Sequence, residues 1–186
     1  MESEDGAVLR REQSSDESGV AAVHTAAFDG PEVPDLVAAL RSASGPLSTT
    51  SIVACVDGSV VGHVMLSPGR LDAPRRIVDV LTLSPLGVLP EWQRQGIGTR
   101  LIAHALSIAD SDAVPLVFVE GSPRYYATRG FERADLRGFR SPSLRIPEAA
   151  FQVAILSAYE PWMTGTFVYS ETFWALDCVG LRDPES

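Results

Sequence analysis

The chain has 186 residues, 45% of them hydrophobic, and a formal net charge of −9 at pH 7. A chain of this length has room for one domain with a real hydrophobic core, and its composition is that of a soluble globular protein rather than a disordered one. Binding to nucleic acid or to an anionic membrane needs a basic surface, so the charge argues against both partners. The charge favours a cationic or neutral substrate.

The first residues of the sequence do not predict a secretory signal peptide. Residues Met1 to Asp5 lack the basic and apolar regions of a secretory signal peptide, and no apolar run approaches the roughly 20 residues of a membrane span. The cysteines, Cys55 and Cys178, match no zinc or redox spacing, so we expect buried, inert thiols and no metal. These features predict a cytoplasmic location.

The residue pattern in the first part of the chain predicts a short strand and two helices. Residues 7–10 are strand-like. Ser14 and Glu17 have the spacing of a capping box, which predicts the start of the first helix there. Val33-Pro34 opens the second helix, because proline is tolerated in a first helical turn. Its predicted buried face consists of Leu36, Val37 and Leu40.

A hairpin and a central strand are predicted next. Residues 52–56 and 60–66 are β-branched runs separated by Asp57-Gly58-Ser59, which is a hairpin signal. The loop predicted after this hairpin is marked by Pro68, Gly69 and Pro74. Residues 77–83 then form an apolar run, which predicts the central strand of a sheet.

The second half predicts a helix followed by further strands. The helix is indicated by the spacing of Ile97, Leu101, Ala105 and Ile108. Residues 116–119 are a continuous apolar run, typical of a strand buried on both faces. Residues 146–153 and 166–169 are predicted as additional strands. This order predicts an α/β fold with a mixed sheet.

The connection between the central strand and its helix is a candidate anion cradle. It runs from Gln93 to Thr99 and contains Gly96 and Gly98. The first N–H groups of a helix lack internal partners and carry the positive end of the helix dipole. Because glycine leaves those donors uncovered, a phosphate can approach them closely.

Two common phosphate loops do not fit this segment. A dinucleotide fingerprint needs a small residue where Leu101 stands, and a Walker loop needs a lysine, which the chain lacks. Residues 93–98, Gln-Arg-Gln-Gly-Ile-Gly, preceded by Val88-Leu89-Pro90-Glu91, instead resemble the acetyl-CoA pyrophosphate loop of the GNAT family of acetyltransferases. An ordinary glycine-capped turn is the alternative interpretation.

This resemblance implies a fold and an activity. The GNAT fold is a central mixed β-sheet flanked by helices and splayed between its fourth and fifth strands. The implied activity is transfer of an acetyl group from acetyl-CoA, by direct attack, to a primary amine of a small molecule or peptide. The implied domain covers residues 7–180, with residues 141–180 on the acceptor side, between flexible ends at 1–6 and 181–186.

The resemblance also assigns cofactor-binding residues. The strands would separate near Pro85 to Val88, so that free backbone groups of Leu86 and Val88 pair with pantetheine. The Val88 N–H would then serve as an oxyanion donor. The full implied set is Leu86, Gly87, Val88, Gln93, Arg94, Gln95, Gly96, Ile97, Gly98, Thr99 and Tyr126.

Tyr126 is the implied general acid. Family members commonly place a tyrosine four residues before a Gly-Phe pair, as Tyr126 stands before Gly130-Phe131, and it protonates the departing thiolate. The alternative is that Tyr125 and Tyr126 only pack a short helix, with Gly130 left-handed at its end. One departure is Val119, where many members carry a cofactor-contacting asparagine. The segment looks like a bacterial subgroup with unassigned substrates.

The general base is not fixed by the sequence. The candidates are Asp79 on the central strand, His63 on the hairpin, Glu120 at the end of the fifth strand, or a water chain held by such groups. A solvated or ion-paired carboxylate and a structural histidine are the competing interpretations. His24 and His104 are given no role.

The acceptor site and the assembly are the least determined features. The family places the acceptor near residues 28–34 and 159–174, where Trp162, Tyr169 and Trp174 shape the pocket or belong to the core or a homodimer interface. Two other functions stay open: a non-catalytic acyl-CoA-binding regulatory module and a nucleotide-binding protein.

Overall fold

A computed structural model describes residues 6–28, 30–43 and 45–181. Apart from Gly6 and Leu181, the ends predicted to be flexible lie outside the described residues. No helix in these three ranges is long and apolar enough to cross a membrane.

The helices and strands follow the predicted order. The helices are α1 (Glu17–Phe28), α2 (Glu32–Arg41), α3 (Ile97–Ser111), α4 (Pro123–Tyr126) and α5 (Glu171–Ala175). The strands are β1 (Val8–Arg11), β2 (Thr50–Val56), β3 (Ser59–Asp72), β4 (Ile77–Val88), β5 (Leu116–Glu120), β6 (Glu132–Arg133), β7 (Phe139–Arg140), β8 (Phe151–Ile155) and β9 (Gly165–Tyr169).

Within the described residues, nine strands form one mixed sheet in the order β1-β2-β3-β4-β5-β8-β6, and β9 pairs with β3 and β7. The β4–β5 and β7–β9 pairs are parallel, whereas the other strand pairs are antiparallel. Helices cover both faces of this sheet, so the predicted mixed α/β architecture is confirmed.

Alternation along the strands divides the core between the two faces. On one face, α1, α2 and α5 bury Val20, Leu36 and Phe173 against Phe118 of β5. On the other face, α3 buries its apolar stripe, represented by Leu101, against the opposite side of the strands. Below, these are called the α1–α2–α5 face and the α3 face.

The prediction of a loop at Pro68 and Gly69 is wrong, because both residues belong to β3. From Gly69 onward, β3 is paired on one side with β4 and on the other with β9. A Cβ at Gly69 would lie 2.6 Å from Phe167 Cε2, so the glycine allows close packing within the strand instead of marking a turn.

Two element starts also differ from the prediction. The capping interaction at the first helix is made by Asp16, whose Oδ2 accepts from the Gln13 N–H at 2.8 Å and pairs with Arg10. Residues Ser14–Asp16 therefore form a 3-10 turn before α1. The strand predicted from residue 146 begins only at Phe151, because the Ala150 N–H donates to the Pro147 carbonyl and closes a turn.

Candidate active site

The central parallel pair separates toward the end of β4. Direct partners are Leu81 with Val117 and Thr82 with Phe118, whereas β4 continues to Val88. An irregularity in the β3–β4 pairing coincides with the cis Ser84–Pro85 peptide bond. Since a bulge bends a strand, β4 turns away from β5 at this position and opens a gap in the sheet.

The backbone at the end of β4 presents polar groups to this gap. The Leu89 N–H donates to the Val61 carbonyl at 2.9 Å, on the β3 side. Successive residues of a strand point their N–H groups in opposite directions. The N–H groups of Leu86 and Val88 therefore point away from β3, toward the gap.

A cavity of about 950 Å³ passes through the gap and reaches both faces of the sheet. From the α3 face it is lined by residues of the loop before α3 and of the α4 region, including Gly98, Thr99, Tyr125, Tyr126 and Arg129. From the α1–α2–α5 face it is lined by Phe28, Val33, Leu36, Tyr169 and Phe173. Ligands on opposite faces can thus meet inside the sheet.

The N-terminus of α3 forms one end of the cavity. Gly96 precedes the helix with a φ of 83°, a left-handed conformation that glycine adopts without strain. A Cβ at Gly98 would overlap the Tyr125 hydroxyl, so this glycine lets the tyrosine approach the first turn. The uncovered N–H groups here are suited to an anion.

Most of the predicted cofactor-binding residues line this end of the cavity. They are Leu86, Gly87, Val88, Gln93, Arg94, Gly96, Gly98, Thr99 and Tyr126. Gln95 and Ile97 lie elsewhere: the Gln95 amide donates to the Glu91 carbonyl at 3.0 Å, and Ile97 is buried in the α3 core. These two residues support the loop instead of facing the cavity.

Arg129 is a cavity residue that the sequence analysis missed. Its Nε donates to Thr99 Oγ1 at 2.9 Å, and its guanidinium lies 3.8 Å from the ring centroid of Tyr125. The arginine thereby brings a positive charge to the N-terminus of α3. The available signal was an arginine in the turn between Tyr126 and Gly130, next to a predicted anion site.

Tyr126 lies where β5 passes into α4. Its ring packs on Gly121, where a Cβ would come within 2.5 Å of Cε2, and it meets Phe131 edge-on at 5.4 Å. Burial, followed by the neighbouring Tyr125, raises the pKa of Tyr126, so its hydroxyl keeps its proton at neutral pH. The side chain is a packing element that also lines the cavity.

Glu120 lines the cavity from the α1–α2–α5 face. Its carboxylate accepts from the Tyr169 hydroxyl and from the Gly180 N–H, each at 3.3 Å. Burial raises the pKa of Glu120, and these hydrogen bonds oppose the shift without cancelling it. A carboxylate with a raised pKa is a stronger base than a solvated one.

The other two candidate bases lie outside the cavity. Asp79 stands opposite Arg70 in the β3–β4 ladder, toward the far end of β4. His63 is buried and joins His24 through a 2.7 Å contact between His63 Nδ1 and His24 Nε2. Its Nε2 contacts Ser51 Oγ, also at 2.7 Å. Of the candidate side chains, only Glu120 reaches the cavity.

The aromatic residues expected near the acceptor separate into two groups. Tyr169 lines the cavity, whereas Trp162 and Trp174 do not. The Trp162 ring instead packs beneath the guanidinium groups of Arg75 and Arg76. Phe28 and Phe173 supply the aromatic surface that the sequence analysis expected from the tryptophans.

Comparison with known proteins identifies the family. Residues 8–134 match the acetyltransferase (GNAT) domain. The chain belongs to the GNAT family. The matched range contains β4, the loop before α3, Glu120 and Tyr126, so the cavity described above is built largely from the matched domain.

Individual GNAT relatives agree with this assignment. The chain is 33% identical over 159 residues to the uncharacterized N-acetyltransferase YjhQ of Escherichia coli K12, covering 81% of this chain and 85% of that protein. Its structure is similar to that of the GNAT N-acetyltransferase YhbS of Escherichia coli in complex with CoA. The TM-score is 0.83 and the identity is 28%, and the match covers 93% of this chain and 94% of that one.

A second solved structure extends the comparison. It is a GNAT acetyltransferase of Brucella melitensis in complex with acetyl-CoA, with a TM-score of 0.72, 26% identity, and coverage of 91% of this chain and 99% of that one. The predicted GNAT family, its fold and its class of enzyme, an acetyltransferase, are therefore confirmed.

Proposed function

We propose that this GNAT enzyme transfers an acetyl group from acetyl-CoA to a primary amine of a small molecule or peptide. The observation that carries this proposal is one cavity joining the N-terminus of α3, the β4–β5 gap, Tyr126 and Glu120. The CoA and acetyl-CoA bound in the two related GNAT structures support the choice of donor.

The donor half of the cavity suits a diphosphate followed by an amide-containing arm. The diphosphate would accept hydrogen bonds from the uncovered amides between Gln93 and Thr99 and would pair with the guanidinium of Arg129. The backbone groups of Leu86 and Val88 that face the gap provide for the pantetheine amides, which would add to β4 as another strand does.

The reaction needs three protein groups at the thioester. The amine nitrogen attacks the carbonyl carbon, and negative charge develops on the carbonyl oxygen, where the Val88 N–H donates. The C–S bond then breaks, the thiolate takes the proton of the Tyr126 hydroxyl, and the second proton that the attacking nitrogen loses as the amide forms returns to Tyr126. Glu120, directly or through one water molecule, accepts the proton that the ammonium form of the acceptor must lose.

This scheme does not require a covalent enzyme intermediate or a metal ion, because a thioester is already activated toward amines. We further propose that the enzyme works in the cytoplasm on an acceptor that is neither nucleic acid nor membrane-bound. The negative net charge of the chain supports this choice of acceptor.

The test is release of free CoA thiol from acetyl-CoA across a panel of amines, with binding of acetyl-CoA measured separately by calorimetry. The proposal predicts binding and acceleration by at least one primary amine, together with an acetylated amine in mass spectrometry. Binding without acceleration by any amine would instead support the non-catalytic acyl-CoA-binding module.

A further inference from the structure

The acceptor half of the cavity, on the α1–α2–α5 face, has mostly apolar walls and a single carboxylate among its described lining residues. We propose that it selects an apolar amine, meaning a primary amine on an alkyl or aromatic group that carries no carboxylate. This inference rests on the proposed acetyl transfer and adds to it the class of acceptor.

The walls of the acceptor half are apolar. They come from the end of α1, from α2, and from α5 and the segment after it, and they include Phe28, Val33, Leu36, Phe173 and Leu181. Leu36 and Phe173 are buried at the inner end, whereas Phe28 is 46% exposed and Leu181 is 70% exposed. An apolar group could extend from the gap to solvent along these side chains, and each methylene it buries improves affinity roughly fourfold.

A single carboxylate faces this pocket among the described lining residues, namely that of Glu120. Its polar partners there are the Tyr169 hydroxyl and the Gly180 N–H, neither of which carries a charge. Arg145 lies near Glu120 but outside the cavity lining, and its Nη2 donates to the Val179 carbonyl at 2.9 Å. One ammonium group can therefore be matched next to the thioester.

A carboxylate on the acceptor would have no cationic partner among the described lining residues of this half of the cavity. The cationic residues that line the cavity, Arg94 and Arg129, belong to the donor end on the α3 face. The charges nearest the acceptor half are acidic, because Glu120 lines it and Glu32 and Asp177 act electrostatically on its lining residue Cys178. Desolvating an unpaired charge is costly, so amino acids should be poor acceptors.

The test compares amines that differ by one feature. 2-Phenylethylamine is paired with phenylalanine, and 3-methylbutylamine with leucine, so that the second member of each pair adds only a carboxylate. We expect kcat/KM, measured by thiol release, to be larger for the apolar member of each pair by about tenfold or more, as for a charge left unpaired on burial. Equal or reversed preferences would overturn the inference.

A variant with an added cation makes the test independent of overall activity. Phe28→Arg places a guanidinium at the partly exposed mouth, and we expect it to raise the ratio of kcat/KM for phenylalanine to that for 2-phenylethylamine. Phe28→Leu is the matched control and should leave this ratio low. An unchanged ratio in a folded Phe28→Arg protein would contradict the assignment of this wall to the acceptor.

Binding measurements separate this inference from the proposed function. Thermal shifts with each amine are recorded in the presence of CoA, which needs no turnover. Selective stabilisation by apolar amines without acetylation would support the acceptor class and contradict acetyl transfer. Acetylation that favours amino acids would support acetyl transfer and contradict the acceptor class.

Discussion

Glu120 differs from the other candidate bases in its surroundings. It is held by the Tyr169 hydroxyl and the Gly180 N–H and lines the cavity, whereas Asp79 does not line the cavity. Both are carboxylates on strands, and the sequence does not distinguish them. The difference arises from position along the sheet, since the gap opens beside the end of β5 and not beside the start of β4.

We predict that Glu120→Gln lowers kcat/KM by about 10²-fold or more, the usual contribution of a general base. Because burial raises the pKa of Glu120, the wild-type activity should be lost as the pH falls through a value above 4.5, the ordinary pKa of this group. Initial rates across pH measure both effects. Asp79→Asn is the matched control, and a loss of activity in that variant equal to the loss in Glu120→Gln would contradict the assignment.

Tyr126→Phe keeps the ring against Gly121 and Phe131 and removes only the acidic proton. We predict that kcat falls by about 10²-fold while the KM for acetyl-CoA changes little, because the proton acts only after binding. Steady-state kinetics with a saturating amine measures this. Unchanged turnover in this variant would show that Tyr126 serves only in packing and is not the general acid.

At the scale of elements, the N-terminus of α3 depends on α4 and the turn after it. Tyr125 lies over Gly98, and Arg129 contacts Thr99, so residues about thirty positions apart complete the donor site. The candidate donor site therefore combines the contiguous loop before α3 with residues that follow it by about thirty positions.

Replacing Arg129 by Gln should weaken acetyl-CoA binding by about tenfold, the range for loss of a charge-assisted contact to phosphate. Calorimetric titration measures the affinity. Arg133→Gln serves as the control, because Arg133 pairs with Asp135 outside the cavity lining. A similar loss of affinity in both variants would indicate a general charge effect and contradict a specific contact of Arg129.

The packing of α1 on the sheet buries two histidines. His24 of α1 and His63 of β3 are both fully buried and share a 2.7 Å contact. Burial, followed by the neighbouring His63, lowers the pKa of His24 to about 3, and burial lowers that of His63. Both pKa values are depressed in the folded state, so the associated stability is present above pH 6.5, the ordinary value, and is lost as the pH falls below it.

We therefore predict that the free energy of unfolding falls between about pH 7.5 and about pH 5, by about 2 kcal/mol for His24, with a further fall in the same direction from His63. Urea titrations at the two pH values measure it. His24→Gln should reduce this pH dependence, whereas His104→Gln, which alters an exposed residue of α3, should not. A pH dependence that persists unchanged in His24→Gln would contradict the account.

The elements that the sequence predicted share a local origin. The spacing of Ile97, Leu101 and Ala105 indicated α3, and Asp57-Gly58-Ser59 indicated the β2–β3 hairpin, because neighbours along the chain determine both. The loop predicted around Gly69 failed because pairing of β3 with the distant β9 overrides local preference.

Some side-chain contacts could not be predicted because their partners are distant in sequence. The His24–His63 pair spans 39 positions and the Arg129–Thr99 contact spans 30, and no local pattern encodes either. The glycines of residues 93–98 were predictable because the loop and its helix are contiguous. The orientation of Glu120 toward the cavity depends on the whole sheet.

At the scale of the whole molecule, the separation of β4 from β5 connects the two halves of the cavity. It lets one cavity reach both faces of the sheet, with the N-terminus of α3 on one side and the apolar walls of α1, α2 and α5 on the other. In the proposed reaction, the donor and the acceptor approach from opposite faces and meet beside Val88, Tyr126 and Glu120.

The most direct test of this arrangement is a crystal structure of the enzyme with coenzyme A. We predict the diphosphate on the amides between Gln93 and Thr99, the pantetheine arm in the gap beside Val88, and the sulfur facing Tyr126. A structure in which the ligand lies outside the gap, or in which side chains fill the loop before α3 while the ligand binds elsewhere, would contradict the account.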